Sequence, residues 1–230
     1  MKKIIVFLLL FTLICTICSC EKKDTDIRGE YAKDVSNISS DLSSEINLST
    51  GELSLGKIVG NVYKNTFIGI GYKLDENWSF YDDEQIKELN NIAIDMVGDD
   101  INELLKKASL VYDMFATDSD KLNNINIILE KVNNLQLLSL NIADNFNIIA
   151  PTLKDGLKNM GYKNINCEIG SVEVDGKILD ASHLSAEIND IKMYQTTFQK
   201  KCNGYLASIT IATYHDNTIS DLLNNFYWIE

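Results

Sequence analysis

Three regimes of apolar and polar patterning follow one another along the 230 residues. Lys2 and Lys3 precede an apolar run from Ile4 to Ile14, with Thr12 its one polar residue, long enough for export and too short to span a bilayer, the pattern of a signal-peptide core. From about Glu21 to Leu55 the chain is rich in Ser, Asp and Asn, with Tyr31 its only aromatic residue. Too little apolar surface is present there to offset the entropy of ordering. That stretch reads as a flexible tether with a root-mean-square reach of roughly 30 Å; a short amphipathic helix around Val35 to Ile46 is the alternative. From Gly56 to Glu230 apolar positions recur with strand and helix periods, over a length suited to one core and one domain.

Within that domain Lys57 to Lys64 and Thr66 to Leu74 read as two short strands. Asp82 with Gln85 three residues on predicts a capping box. The helix it opens carries Ile86, Leu89, Ile92 or Ala93, and Met96 on one face. A second short helix is expected after Asp99-Asp100. Strands are expected at about Ser109 to Ala116 and Asn124 to Val132, joined by a turn over Thr117-Asp118-Ser119-Asp120; Ile125, Ile127 and Leu129 alternate along the second. A longer helix follows from about Asn141 to Met160, stopped by Gly161, with a kink or a fresh start at Pro151.

The C-terminal third predicts four strands separated by Asp175-Gly176, Asn189-Asp190 and Asn203-Gly204, dipeptides suited to tight hairpins. On the first strand Ile165, Cys167 and Ile169 share one parity while Val172 and Val174 take the other, so a bulge is expected at Gly170. A last helix from Ser220 to about Trp228 is expected to lay Leu222, Leu223, Phe226 and Tyr227 on the sheet. The fold class is therefore α+β: an antiparallel sheet covered by helices, with a C-terminal four-stranded meander and a final helix.

Behind the apolar run stands Ile17-Cys18-Ser19-Cys20, which resembles the bacterial lipobox. A branched aliphatic residue lies three positions before the acceptor cysteine, and a small one directly before it. The resemblance implies cleavage between Ser19 and Cys20, lipidation of Cys20, and a protein anchored by acyl chains (palmitate among them) on the outer face of a cell membrane. An uncleaved anchor or an ordinary signal peptide is the alternative. Residues 1–19 are then signal peptide, 20–55 the lipidated N-terminus and tether, and 56–230 the domain.

Removing residues 1–19 leaves 19 basic residues against 33 acidic, a formal charge of −14. Such a chain disfavours nucleic acid as a partner. Arg28 is the only arginine, so bidentate phosphate and guanine contacts are denied to the domain. The abundance of Lys, Asn and Ile fits an AT-rich genome of the kind found in low-GC Gram-positive bacteria.

The stretch Gly60-Asn61-Val62-Tyr63-Lys64-Asn65-Thr66-Phe67-Ile68-Gly69-Ile70, followed by Leu74, Trp78 and Phe80 before an acidic helix start, resembles the opening of Gram-positive lipoproteins with a PsbP-like domain. The element order afterwards agrees with theirs. The resemblance implies a fold and an address over about residues 56–230, and it transfers no catalytic residue.

Candidate chemistry is sparse. His183 is expected in mid-strand and His215 just past the last meander strand, neither in a metal-spaced pair. Asp118-Ser119-Asp120 lacks the glycine and glutamate of a calcium loop, with Asn123 and Leu129 at those positions, and reads as a hairpin loop. Gly69-Ile70-Gly71 reads as close backbone packing within a strand. Cys167 and Cys202 fall at opposite ends of the meander, so two free thiols are expected. No catalytic, metal or cofactor residue is nominated. The expected function is a non-enzymatic binding or assembly module displayed in the cell envelope, meeting a ligand or protein partner through the sheet or the loop near Trp78. A cell-envelope hydrolase or other enzyme with a dispersed site is the alternative; a two-lobed solute binder usually needs a longer chain.

Overall fold

A computed structural model of the chain describes residues 53–93, 110–132 and 142–229. Ser19, Cys20, the tether to residue 52 and the helix expected after Asp99-Asp100 lie outside the described residues. Those residues form two antiparallel sheets with the two longer helices on one side, so the α+β class holds in its coarse form.

The small sheet has the order β1-β2-β3-β11, from Lys57–Val59, Val62–Asn65, Ile70–Lys73 and Phe226–Trp228. The large sheet has the order β4-β5-β6-β10-β9-β8-β7. Its strands are Trp78–Phe80, Leu110–Asp118, Asn124–Lys131, Tyr205–Tyr214, Ile191–Cys202, Lys177–Ile188 and Lys163–Val174.

The two faces of the large sheet are covered differently. Ile125, Ile127 and Leu129 of β6 and Ala207, Ile209 and Ile211 of β10 point at the small sheet. There they meet Tyr63, Ile70, Tyr72 and Phe226, all buried. On the other face helix α1, Asp83–Ala93, sets Leu89 against Tyr112, Phe115 and Ile128. Helix α2, Ile142–Asn159, sets Phe146, Leu153 and Leu157 against Leu184, Ala186 and Met193. The result is three layers: helices, large sheet, small sheet.

This layering explains where the sequence reading and the structure part. Residues 57–64 are a hairpin and not one strand, because Gly60 takes φ +61° and turns the chain at Gly60-Asn61. Of Thr66 to Leu74 only Ile70–Lys73 is strand; residues 66–69 turn, with Gly69 at φ +64°. Gly170 is not a bulge: it pairs in register with Ala181, and the irregularity lies between Lys163 and Asn166. The change of parity on β7 arises because Ile165, Cys167 and Ile169 face α2 while Val172 and Val174 face the inter-sheet core.

The final helix is also shorter than expected. Helix α3 covers only Ile219–Leu223, and Phe226–Trp228 is a strand paired with β3. Alternation explains it, since Phe226 and Trp228 turn inward while Tyr227 lies over Gly71, where a Cβ would sit 2.2 Å from the tyrosine ring. The β5 strand extends through Asp118, so the turn begins at Ser119.

Local signals behave as their chemistry requires. Asp82 Oδ1 accepts from the Gln85 amide at 2.8 Å while Gln85 Oε1 accepts from the Asp82 amide at 3.0 Å, the reciprocal capping box. Helix α2 runs through Pro151 without a fresh start. It ends where Gly161 takes φ +91°; the Tyr162 amide donates to Leu157 O and the Gly161 amide to Lys158 O, a Schellman stop. The three meander turns place Asp175, Gly176, Asn189, Asp190, Asn203 and Gly204 all at positive φ, the type I′ geometry that matches strand twist.

Of these, Asp190 at φ +63° carries a side chain where glycine fits best. Asp190→Gly is expected to raise stability by about 0.5–1 kcal/mol, read as a higher urea midpoint at unchanged slope. A midpoint equal to or below that of the parent chain contradicts the turn assignment.

Candidate functional site

The small sheet does not cover the whole of the large sheet's inner face. Where it stops, β7, β8 and β9 leave an open trough walled by the segment Asn217 to Asn224. Two adjoining cavities of about 580 and 260 Å³ share His183, Thr196, Asn217 and Ile219. His183 stands at their junction.

Its position follows from register. Glu168, His183 and Thr196 are directly opposite one another across β7, β8 and β9. His183 Nδ1 lies 2.9 Å from Thr196 Oγ1, which fixes the ring's orientation. On the other side the ring fills the space above Gly170, where a Cβ would come within 2.9 Å of Cδ2 and Nε2. Glycine at 170 is thus a packing requirement of the histidine.

Some of the trough's polar groups are held by hydrogen bonds and others are left free. The side chains of Ser185 and Ser220 make no hydrogen bond among the described residues, while Asn166 donates to Glu168 at 3.3 Å, Asp175 Oδ2 accepts from the Trp228 amide at 3.0 Å and Asn217 Oδ1 from the Ile219 amide at 3.4 Å. Glu168 and Asp175 supply negative charge, and among the described residues no lysine or arginine lines either cavity. Val172, Leu223 and Phe226 give it an apolar floor. The arrangement suits a neutral or cationic ligand with hydrogen-bonding groups on one side and apolar surface on the other.

A nucleophile–base reading of Thr196 and His183 meets a physical obstacle. Thr196 is only 3 % exposed, so its hydroxyl is spent on holding the imidazole and does not reach a substrate carbonyl.

The hollow beside Trp78, about 520 Å³, is the other surface the sequence points to. Two of its polar side chains are already used, Asp82 in the capping box and Asn61 Nδ2 as donor to Leu74 O at 3.1 Å. His215 lies at φ +68° just after β10, outside both parts of the trough. Asp118 closes its hairpin, with Oδ1 accepting from the Leu122 and Asn123 amides and Oδ2 from Asn123 Nδ2. No group of three or more metal-ligating side chains occurs among the described residues.

Cys167 and Cys202 are both free thiols, as the strand order requires. Burial raises the Cys202 thiol to about 11, against some lowering by Lys200. Its reactive thiolate is therefore scarce near neutrality. Alkylation of Cys202 by iodoacetamide is expected to be minimal at pH 7.4 and to climb steeply above pH 10. Fast modification at pH 7.4, read by peptide mass spectrometry, overturns this.

The trough carries no sequence motif, because a lone strand histidine has none. The usable signal was the run Ala181-Ser182-His183-Leu184-Ser185-Ala186, small side chains around one imidazole, with Gly170 on the neighbouring strand. Among the described residues no helix is long and apolar enough to cross a membrane. No family model matches the chain, and no curated protein matches it in sequence.

Proposed function

We propose that the chain is a lipoprotein held on the outer face of a cell membrane through Cys20, and that its PsbP-like domain is a non-enzymatic binding module. The signal core, the Ile17-to-Cys20 pattern and the polar stretch after it support the anchor. An antiparallel meander with helices α1 and α2 on one face supports the PsbP-like reading; the second sheet is an addition to it. The observation that carries the binding reading is the open trough around His183, with the free hydroxyls of Ser185 and Ser220, the carboxylates of Glu168 and Asp175 and a buried Thr196.

Two measurements test this. Intact-mass analysis of the N-terminal peptide from membranes is expected to show acylated Cys20, and Cys20→Ser is expected to release the protein into the medium. A photo-crosslinking residue in place of Ser185 is expected to capture a specific envelope component that the same residue at exposed Lys192 does not. Recovery of unacylated protein from membranes sinks the anchor. Equal capture from both positions, or turnover of a substrate that His183→Ala abolishes, sinks the binding module.

A further inference from the structure

Among the described residues the outer face of the small sheet carries three lysines and no carboxylate. Register puts Lys57 directly opposite Lys64, with Gly71 and Tyr227 continuing that row, and Val59, Val62 and Lys73 in the next. All three lysines are exposed, and Val59 at the hairpin tip is 78 % exposed. Among the described residues the only ion pair is Lys158 with Asp155, elsewhere on the surface.

Two observations set this face apart from an ordinary solvated one. Like charges directly opposed on neighbouring strands weaken the pairing, so Lys57 against Lys64 is a local disadvantage the fold retains. Lysine as a guard against edge-to-edge aggregation explains β1, which is an edge strand. It does not explain Lys64 and Lys73, which sit on the interior strands β2 and β3. The face is also cationic on a chain whose segment from Cys20 onward has a formal charge of −14.

We infer that this face docks on the anionic phospholipid surface of the membrane. The inference rests on the anchor reading for the membrane's proximity: the face begins four residues after Leu53, and about 35 residues lead back to Cys20. Lysines are point charges suited to a diffuse anionic surface, without the fork that selects a single phosphate. Val59 supplies an apolar tip for the headgroup boundary, and Tyr227 an amphipathic ring of the kind enriched there. Docking turns helices α1 and α2 away from the bilayer, because they cover the opposite side of the large sheet.

The test uses the chain from residue 20 to 230 carrying Cys20→Ser, so that no lipid contributes, and vesicles of phosphatidylglycerol in phosphatidylcholine against phosphatidylcholine alone. Binding is expected only with phosphatidylglycerol and is expected to fall as salt rises. Each lysine near an anionic surface is worth about fivefold. Lys57→Gln, Lys64→Gln and Lys73→Gln together are expected to lower affinity roughly a hundredfold. Lys158→Gln, Lys163→Gln and Lys192→Gln together remove the same charge elsewhere and are expected to leave it nearly unchanged. Circular dichroism verifies that both triples fold. Equal loss in the two triples, or no preference for phosphatidylglycerol, overturns the docking face. Unacylated Cys20 in cells alongside intact vesicle docking removes the anchor alone, whereas acylated Cys20 with no docking removes the docking alone.

Discussion

Asp113→Ala is expected to destabilise the domain by about 3 kcal/mol, measured as a fall in urea midpoint at unchanged slope. Asp113 is the extra residue of a bulge between Tyr112 and Met114 in β5. That bulge turns its carboxylate toward the small sheet. There Tyr63 Oη donates to Oδ2 at 2.5 Å, Asn65 Nδ2 to Oδ2 at 2.6 Å, and the Gly56 amide to Oδ1 at 2.7 Å. One side chain thus ties the large sheet to β2 and to the entry of the chain. Truncation strands the buried Tyr63 hydroxyl and the Gly56 amide, while Asn65 keeps a second acceptor in Ser54 O. Gly56 itself is required, since a Cβ there would lie 2.2 Å from the pinned Tyr63 ring. A loss under about 1 kcal/mol would show that water replaces the carboxylate and that the three-donor cluster holds nothing together.

The same group sets a pH dependence. Burial raises the Asp113 carboxyl above its ordinary value, against the lowering effect of Tyr63, Gly56 and Asn65. The native state therefore holds its proton to higher pH than the unfolded chain does. Ionising Asp113 costs native stability; that cost is absent below the unfolded-chain value near 4 and complete above the raised native one. Stability from this group is expected to rise as pH falls through that window, opposite to an ordinary paired carboxylate. In Asp113→Asn the rise is expected to vanish, and its persistence there would assign it to another group.

Local chemistry was legible in the sequence, and distant pairing was not. The capping box, the Gly161 stop and the three turn dipeptides act over a few residues, so their residue types announce them. The segment after Ser220 failed for the opposite reason. Leu222, Leu223, Phe226 and Tyr227 fit a helical face, but β11 forms because β3, some 150 residues earlier, offers it a free edge and Gly71 offers Tyr227 a seat. The parity change on β7 was read as a bulge because one strand serving two cores on opposite faces looks, from one chain, like a local irregularity. Asp113 left a trace: a charged residue within the apolar run Leu110 to Phe115 marks either an error in the strand or a buried hub.

The site was legible only in fragments. His183 in mid-strand and Gly170 on its neighbour were both visible, but their contact needs the strand register, and the trough needs to know where the small sheet ends. The face of Lys57, Lys64 and Lys73 was hidden by reading residues 57–64 as one strand. As a single strand it places Lys57 and Lys64 on opposite faces, seven residues apart; the turn at Gly60 brings them together.

Phe226→Ala is expected to have the largest effect on the inter-sheet core, about 3–5 kcal/mol. Phe226 is 2 % exposed. Its ring packs 4.3 Å from Tyr72 within the small sheet and 5.8 Å from Phe198 of the large sheet, edge to face. It therefore packs along one layer and bridges to the next. Phe198→Ala alone leaves Tyr72 and Phe226 in contact, so the two substitutions share a single interface. A double-mutant cycle is expected to give coupling of about 0.5–1.5 kcal/mol between them. Because Phe226 also floors the trough and precedes Trp228, whose Nε1 donates to Val174 O at 2.8 Å, Trp228 fluorescence is expected to red-shift in Phe226→Ala before global unfolding. Additivity within about 0.3 kcal/mol and an unshifted Trp228 would mean that β11 is held by its backbone pairing to β3 alone.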